Sequence, residues 1–202
     1  MANTNFPFGF KPLGLGGDVT PSYGLRTAKI AYGNTTAIYR GDPIVRLATG
    51  YVDQWSAAVD VGLLVGIFWG AKYASTSLGR TTQNTFWPGN DATTDATCYY
   101  YPIQGNPAPL FLAQVNAGPA VFADIGANFS PDIGTGSIKG TYGLSGATID
   151  YSTIATTNTL EFKLVGLWSD YAPSGTPGTD NTAAYNLVVV QGNSFSSVGI
   201  TT

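Results

Sequence analysis

Histidine is absent from this 202-residue chain, and cysteine and methionine occur once each. Glutamate is also reduced to one residue, Glu161, the other eleven of the twelve acids being aspartate. Without histidine there is no Ser-His-Asp or Cys-His relay, no ordinary general base near neutral pH, and no route to most zinc or iron sites. The lone Cys98 forms no internal disulfide and no cysteine metal cluster. Its neighbours Tyr99, Tyr100 and Tyr101 suggest a buried, inert thiol in a strand. Charged residues are scarce at 10%, against about a quarter in ordinary domains. The nine scattered Lys and Arg, with a net charge of -3, make no basic stripe, so direct nucleic-acid binding is not expected. No apolar run approaches the ~18 residues of a membrane helix, the longest being residues 62–71. The opening MANTNFPFGF lacks a charged then apolar leader, so the expectation is a soluble protein made in a cytoplasm.

The remaining chemistry is thin. Asp91 and Asp95 could in principle form a glycosidase pair, but they lie in a Thr-rich loop with nothing nearby to raise one pKa. The same loop lacks the alternating oxygen ligands and closing glutamate of a calcium loop. The glycines of residues 134–140 have the wrong spacing for a phosphate cradle and open no helix. Arg40-Gly41-Asp42 is a cell-adhesion tripeptide on paper, yet it precedes Pro43 and reads as a turn opening a strand. No catalytic, metal-binding or cofactor-binding residues are expected, and no enzyme.

What the chain does have is 26 Gly, 12 Pro, and many Thr and Tyr, the makings of strands joined by tight turns. Strand-length apolar runs recur at residues 29–32, 37–39, 43–47, 63–69, 97–103, 110–115, 121–124, 147–151, 160–168 and 187–191. Residues 63–69 are apolar on both faces apart from Gly66, and residues 160–164 alternate, with Glu161 and Lys163 opposite Phe162 and Leu164. No helix of three turns is visible, and only residues 52–61 could hold a turn or two. The expected fold is all-β: one β-sandwich, jelly-roll-like or partly closed barrel domain over residues 25–193, with long loops at 76–96 and 172–183. Residues 1–24 read as an extended N-terminal arm and 194–202 as a C-terminal tail.

The arm is the candidate functional element. Phe6, Phe8, Phe10 and Tyr23 show neither helical nor strand spacing, and Pro7, Pro12 and Pro21 hold the chain extended. Such a segment is expected to lie along a neighbouring subunit through Phe6, Pro7, Phe8, Phe10 and Pro12, with Phe86 and Trp87 as a loop-borne contact. Removing residues 2–12 should then abolish binding and leave the fold. The other reading is a receptor- or carbohydrate-binding module, in which Trp87 and Tyr99 to Tyr101 stack on sugar rings.

The opening Met1-Ala2-Asn3-Thr4-Asn5-Phe6-Pro7-Phe8-Gly9-Phe10-Lys11-Pro12 resembles the start of head decoration, or capsid cement, proteins of tailed bacteriophages. Gly41-Asp42-Pro43-Ile44-Val45 and the core strand in Gly62-Leu63-Leu64-Val65-Gly66-Ile67-Phe68 are similar to elements of the same family. Leu144-Ser145-Gly146-Ala147-Thr148-Ile149-Asp150, the segment Leu160 to Leu167, and a valine-rich strand ending near Gln191 follow in the family's order. The resemblance implies a virion protein on the outer capsid surface that binds the major capsid protein where capsomers meet. It further implies a homo-oligomer, a trimer before a dimer, with no nucleic-acid or membrane partner, no cofactor and no catalytic residues.

Overall fold

The computed structural model describes residues 3–15, 25–57, 64–105, 108–134, 143–157 and 159–193. Among the described residues there are fifteen strands and three short 3₁₀ turns. The strands run β1 (Lys11–Leu15), β2 (Arg26–Ile30), β3 (Ile38–Tyr39), β4 (Pro43–Arg46) and β5 (Val52–Gln54). Next come β6 (Leu64–Ser75), β7 (Arg80–Asn84), β8 (Phe86–Trp87), β9 (Ala96–Pro102) and β10 (Pro109–Gln114). The last are β11 (Asn128–Phe129), β12 (Pro131–Asp132), β13 (Thr148–Ile149), β14 (Phe162–Leu167) and β15 (Leu187–Gly192).

Two open antiparallel sheets carry the fold. One has the order β1-β10-β15-β14-β11 and the other β2-β9-β6-β4-β5, with β7 also paired to β6. The all-β expectation holds, and neither sheet closes into a barrel. The main core lies between the sheets. Leu64 and Ile67 of β6 and Val45 of β4 meet Phe111 of β10, Phe162 and Leu164 of β14, and Val188 and Val190 of β15. The second sheet is covered on its other face as well, where Ile44, Phe68, Ala71, Tyr73, Cys98 and Tyr100 pack with Ile38 and Trp87 of the small β3–β8 ribbon. This explains the continuous apolar sequence of β6: a strand buried on both sides has no polar face to alternate. Its length, 12 residues, is far beyond residues 63–69 because it continues into a hairpin with β7.

Five sequence expectations are corrected. Residues 121–124 are not a strand but a 3₁₀ turn at Phe122–Asp124, since Asp124 Oδ2 accepts the Val121 amide at 2.8 Å and curls the chain. Residues 76–96 are not a loose excursion. They contain β7 and β8, and Asp91 ties the hairpin by accepting from the Ser75 hydroxyl at 2.7 Å and the Ser77 amide at 2.8 Å. Those bonds hold the Asp91 carboxyl below its ordinary range, the Ser75 hydroxyl contributing most. Glu161, alternating in sequence with core residues, is nevertheless fully buried. Residues 52–57 hold β5 rather than a helical turn, and residues 58–61 of that prediction lie outside the described residues.

The boundary at residue 24 is the fifth. Residues 11–15 are an edge strand of the first sheet, with Lys11 opposite Leu112 and Pro12 opposite Phe111. Pro12 is tolerated there because an edge strand needs only one row of ladder bonds. Residues 3–15 thus belong to the β domain. The rest of the expected arm, residues 16–24 with Pro21 and Tyr23, and the tail 194–202 lie outside the described residues, as do residues 135–142 of the glycine-rich segment.

Candidate functional site

The opening segment is fastened to the domain along its length. The Asn3 amide group donates to the Asp180 carbonyl at 2.8 Å and to the carbonyls of Ala183 and Ala184 at 3.2 Å, closing down the loop between β14 and β15. Buried Gln114, at the end of β10, accepts the Phe6 amide at 3.0 Å and donates to the Thr4 carbonyl at 2.9 Å. Phe10 then enters the main core, fully buried, its ring stacked on Phe162 at 4.5 Å and 13°. Phe6 stays 53% exposed, while Pro7, Phe8 and Pro12 are half-buried. Of the five arm residues, therefore, Phe10 is a core residue of its own domain and only Phe6 is strongly presented outward. The sequence showed apolar rings without periodicity, and their destination was this domain's core and edge.

Phe10 reaches the core through a contact between two glycines. Its amide donates to the Gly41 carbonyl at 2.9 Å. Gly9 has φ +75° and a Cβ there would sit 2.6 Å from Ser145 Cβ and 2.7 Å from the Gly41 oxygen. Gly9→Ala is expected to lose more than ~2 kcal/mol, because left-handed strain of ~1–2 kcal/mol is joined by a backbone clash. Gly50→Ala, at φ +86° with nothing within 4 Å, carries the strain alone. Urea unfolding of both variants checks this, and equal losses at the two positions would refute the close-approach account.

Asp42 anchors the turn beneath. Its carboxylate is fully buried and accepts from the Tyr39 amide at 2.7 Å, from Gln54 Nε2 at 2.7 Å, and from the Ser145 hydroxyl. The backbone of the same turn is laced to β6, with Gly41 N on the Phe68 carbonyl at 2.9 Å and Phe68 N on the Asp42 carbonyl at 2.8 Å. Burial pushes the Asp42 carboxyl up to about 6, against the lowering pull of the three hydrogen bonds. A buried Asp42 is a structural part of the turn, not an adhesion ligand.

Where this turn, the opening segment and both sheets meet there is an apolar cavity of about 360 Å³. Its apolar walls include Phe8, Trp69, Leu112, Leu144 and Leu187, and two cations, Lys11 and Arg40, also line it. Trp69 is the extra residue at a bulge, because β9 pairs Tyr100 with Phe68 and Tyr99 with Gly70 and leaves Trp69 between them. Such a bulge turns a side chain out of strict alternation. The Arg40 guanidinium covers the indole at 3.6 Å, and Tyr101 meets it edge-on at 4.9 Å. In sequence, a glycine on either side of the run 67–69, at Gly66 and Gly70, was the available sign of a bulge in an otherwise apolar strand. The cavity's assembly from six separate segments was not readable.

The pair Phe86 and Trp87 is not a loop-tip contact. Trp87 is fully buried, edge-on to Tyr73 at 5.2 Å, and Phe86 is half-buried against Tyr39 at 6.4 Å. Both lie on β8, so the ribbon they form with β3 is a lid on the second core. Tyr100 is 6% exposed, so two of the rings chosen for sugar stacking face inward. Cys98 is buried in the same core, where burial pushes its thiol far above the ordinary range and disfavours the thiolate. Among the described residues no group of three or more histidine, cysteine, aspartate or glutamate side chains is placed to hold a metal ion. Comparison with known proteins gives no match to a family model, a curated protein or a solved structure, so the chain is assigned to no family by them.

Proposed function

We propose that this protein is a structural protein of a tailed-phage virion, a decoration or cement protein that binds the outside of the head as a homo-oligomer, a trimer before a dimer, and bridges subunits of the major capsid protein. It works by contact and not by turnover. The observation that carries the reading is the mounting of Phe6: a 53% exposed aromatic ring on a backbone held at Asn3, Thr4 and Phe6 by hydrogen bonds to the domain. A backbone held this way has little conformational freedom left to lose on docking, which favours binding. The likeness of residues 1–12 to the opening of the decoration family, and a surface poor in charge, support the same reading.

The test is co-sedimentation with preformed heads of the encoding phage prepared without this protein. The full chain should pellet in saturable amounts, and Phe6→Ala should weaken binding by about tenfold or more with unchanged melting temperature. Binding of Phe6→Ala equal to that of the parent would overturn the role of Phe6. Failure of the full chain to pellet, with binding to a glycan array instead, would overturn the reading altogether.

A further inference from the structure

The cavity beside the opening segment asks for a ligand of definite chemistry. Its walls are mostly apolar, its two charged residues Lys11 and Arg40 are both cations, and no acidic side chain lines it. An aromatic group followed closely by a carboxylate would suit it, the ring entering the cavity and the acid meeting the cations. Two 3₁₀ turns of this same chain carry such a pair, Phe122–Asp124 and Trp168–Asp170, and the first has the more exposed ring. Phe122 is 77% exposed, the most exposed large apolar side chain among the described residues, and Val121 and Ile125 beside it are 38% and 37% exposed. Asp124 stands two residues on in the same 3₁₀ turn.

The turn is built to hold its shape. Buried Asn186 clamps its base from both sides, donating to the Ala120 carbonyl at 2.8 Å and accepting the Ala120 amide at 3.0 Å. Asp124 closes the loop by accepting the Val121 amide at 2.8 Å and the Tyr151 hydroxyl at 3.3 Å. An apolar knob on so firm a base exposes its ring at a cost in water and loses little backbone entropy on docking.

We propose that Phe122 of one copy of this protein seats in the Trp69–Leu112–Leu144–Leu187 cavity of a second copy, with Asp124 facing Lys11 and Arg40. The contact joins two different patches, so it is head-to-tail; it closes into a ring if the rotation per subunit allows and otherwise runs open. This inference rests on the self-association part of the reading above and is independent of whether the partner is a capsid.

Sedimentation velocity of the full chain from about 1 to 200 µM tests it, with Phe122→Ser as a knob variant and Leu144→Glu as a cavity variant. Both positions retain solvent exposure, and retention of the parent's circular dichroism and melting curve identifies folded samples. The parent is expected to associate with rising concentration, and each variant to associate at least about tenfold more weakly. Mixing the two variants should restore a single contact, an intact cavity meeting an intact knob, and give a 1:1 complex that neither forms alone. A parent that stays monomeric, a Phe122→Ser variant that associates like the parent, or a mixture that stays monomeric would each overturn the proposal. Loss of head binding by Phe122→Ser with association unchanged would also overturn it, placing the knob on the shell instead. A monomeric parent that still pellets with heads would remove this contact and leave the shell reading standing.

Discussion

Replacing Phe10 with alanine is expected to cost about 3–5 kcal/mol, the largest single-residue loss we foresee in the first fifteen residues. The ring is fully buried and stacked on Phe162 in the core between the two sheets. Its removal leaves a cavity lined by groups from β14 and the turn at Gly41 that cannot collapse without pulling the strands apart. For a chain of this size, that loss corresponds to a fall in Tm on the order of 10 °C. Phe6→Ala, four residues earlier and largely in water, should change stability by less than ~0.5 kcal/mol. The same contrast corrects the expected behaviour of a truncation. Removing residues 2–12 takes Phe10 out of the core and the first two residues out of β1, so the truncated chain is expected to fold poorly rather than to fold and lose binding. Thermal unfolding of the two point variants checks the account, and a Phe10→Ala loss below about 1 kcal/mol would contradict it.

The second large effect is a stability that increases on mild acidification. The Asp42 carboxyl has an ordinary pKa of 3.8 and is raised by burial to about 6 in the folded protein. Between those values the folded state holds a proton that the unfolded state releases, so the contribution is fully present below about pH 4 and is lost as pH rises through 6. The span corresponds to something on the order of 3 kcal/mol. Asp91 and Asp180 act in the opposite sense, since hydrogen bonds led by Ser75 and Thr182 respectively hold their carboxyls below the ordinary range. Their share is lost as pH falls below the unfolded value, which places the optimum in the mildly acidic range. Urea midpoints at pH 7 and pH 5 should show the parent more stable at pH 5, and Asp42→Asn should lose most of that difference. A parent with equal midpoints, or an Asn variant with the parent's slope, would show that the buried carboxyl does not carry the effect.

The main-chain plan was legible wherever one physical signal dominated. Residues 63–69 announced a strand buried on both faces, and the valine-rich run 187–191 announced β15, because apolar content without alternation has few other uses in a chain so rich in turns. Legibility failed where tertiary contact decided. Phe10 and Trp87 looked like rings without a place, and both proved to be core, since their partners Phe162 and Tyr73 lie 152 and 14 residues away in sequence. Val121 and Phe122 look like a strand in sequence because their apolar character is visible, whereas the reach of the Asp124 carboxylate back to the Val121 amide, which curls them, is not. Asp42 shows in sequence only as a turn residue, because its burial depends on Ser145 and Gln54 arriving from elsewhere. The expectation that function lies near the opening residues survives as a proposal in altered form: Phe6 is presented by the domain, and the residues after it build a cavity wall.

That the opening segment is a built-in part of the domain is the central claim, and amide hydrogen exchange on the full chain tests it most directly. The Phe10 amide, bonded to the Gly41 carbonyl at 2.9 Å beside a fully buried ring, should exchange as slowly as the paired amides of β10 and β15. Exchange of Phe10 at the rate of an unstructured chain, while β10 and β15 remain protected, would contradict the account and return the segment to a free arm.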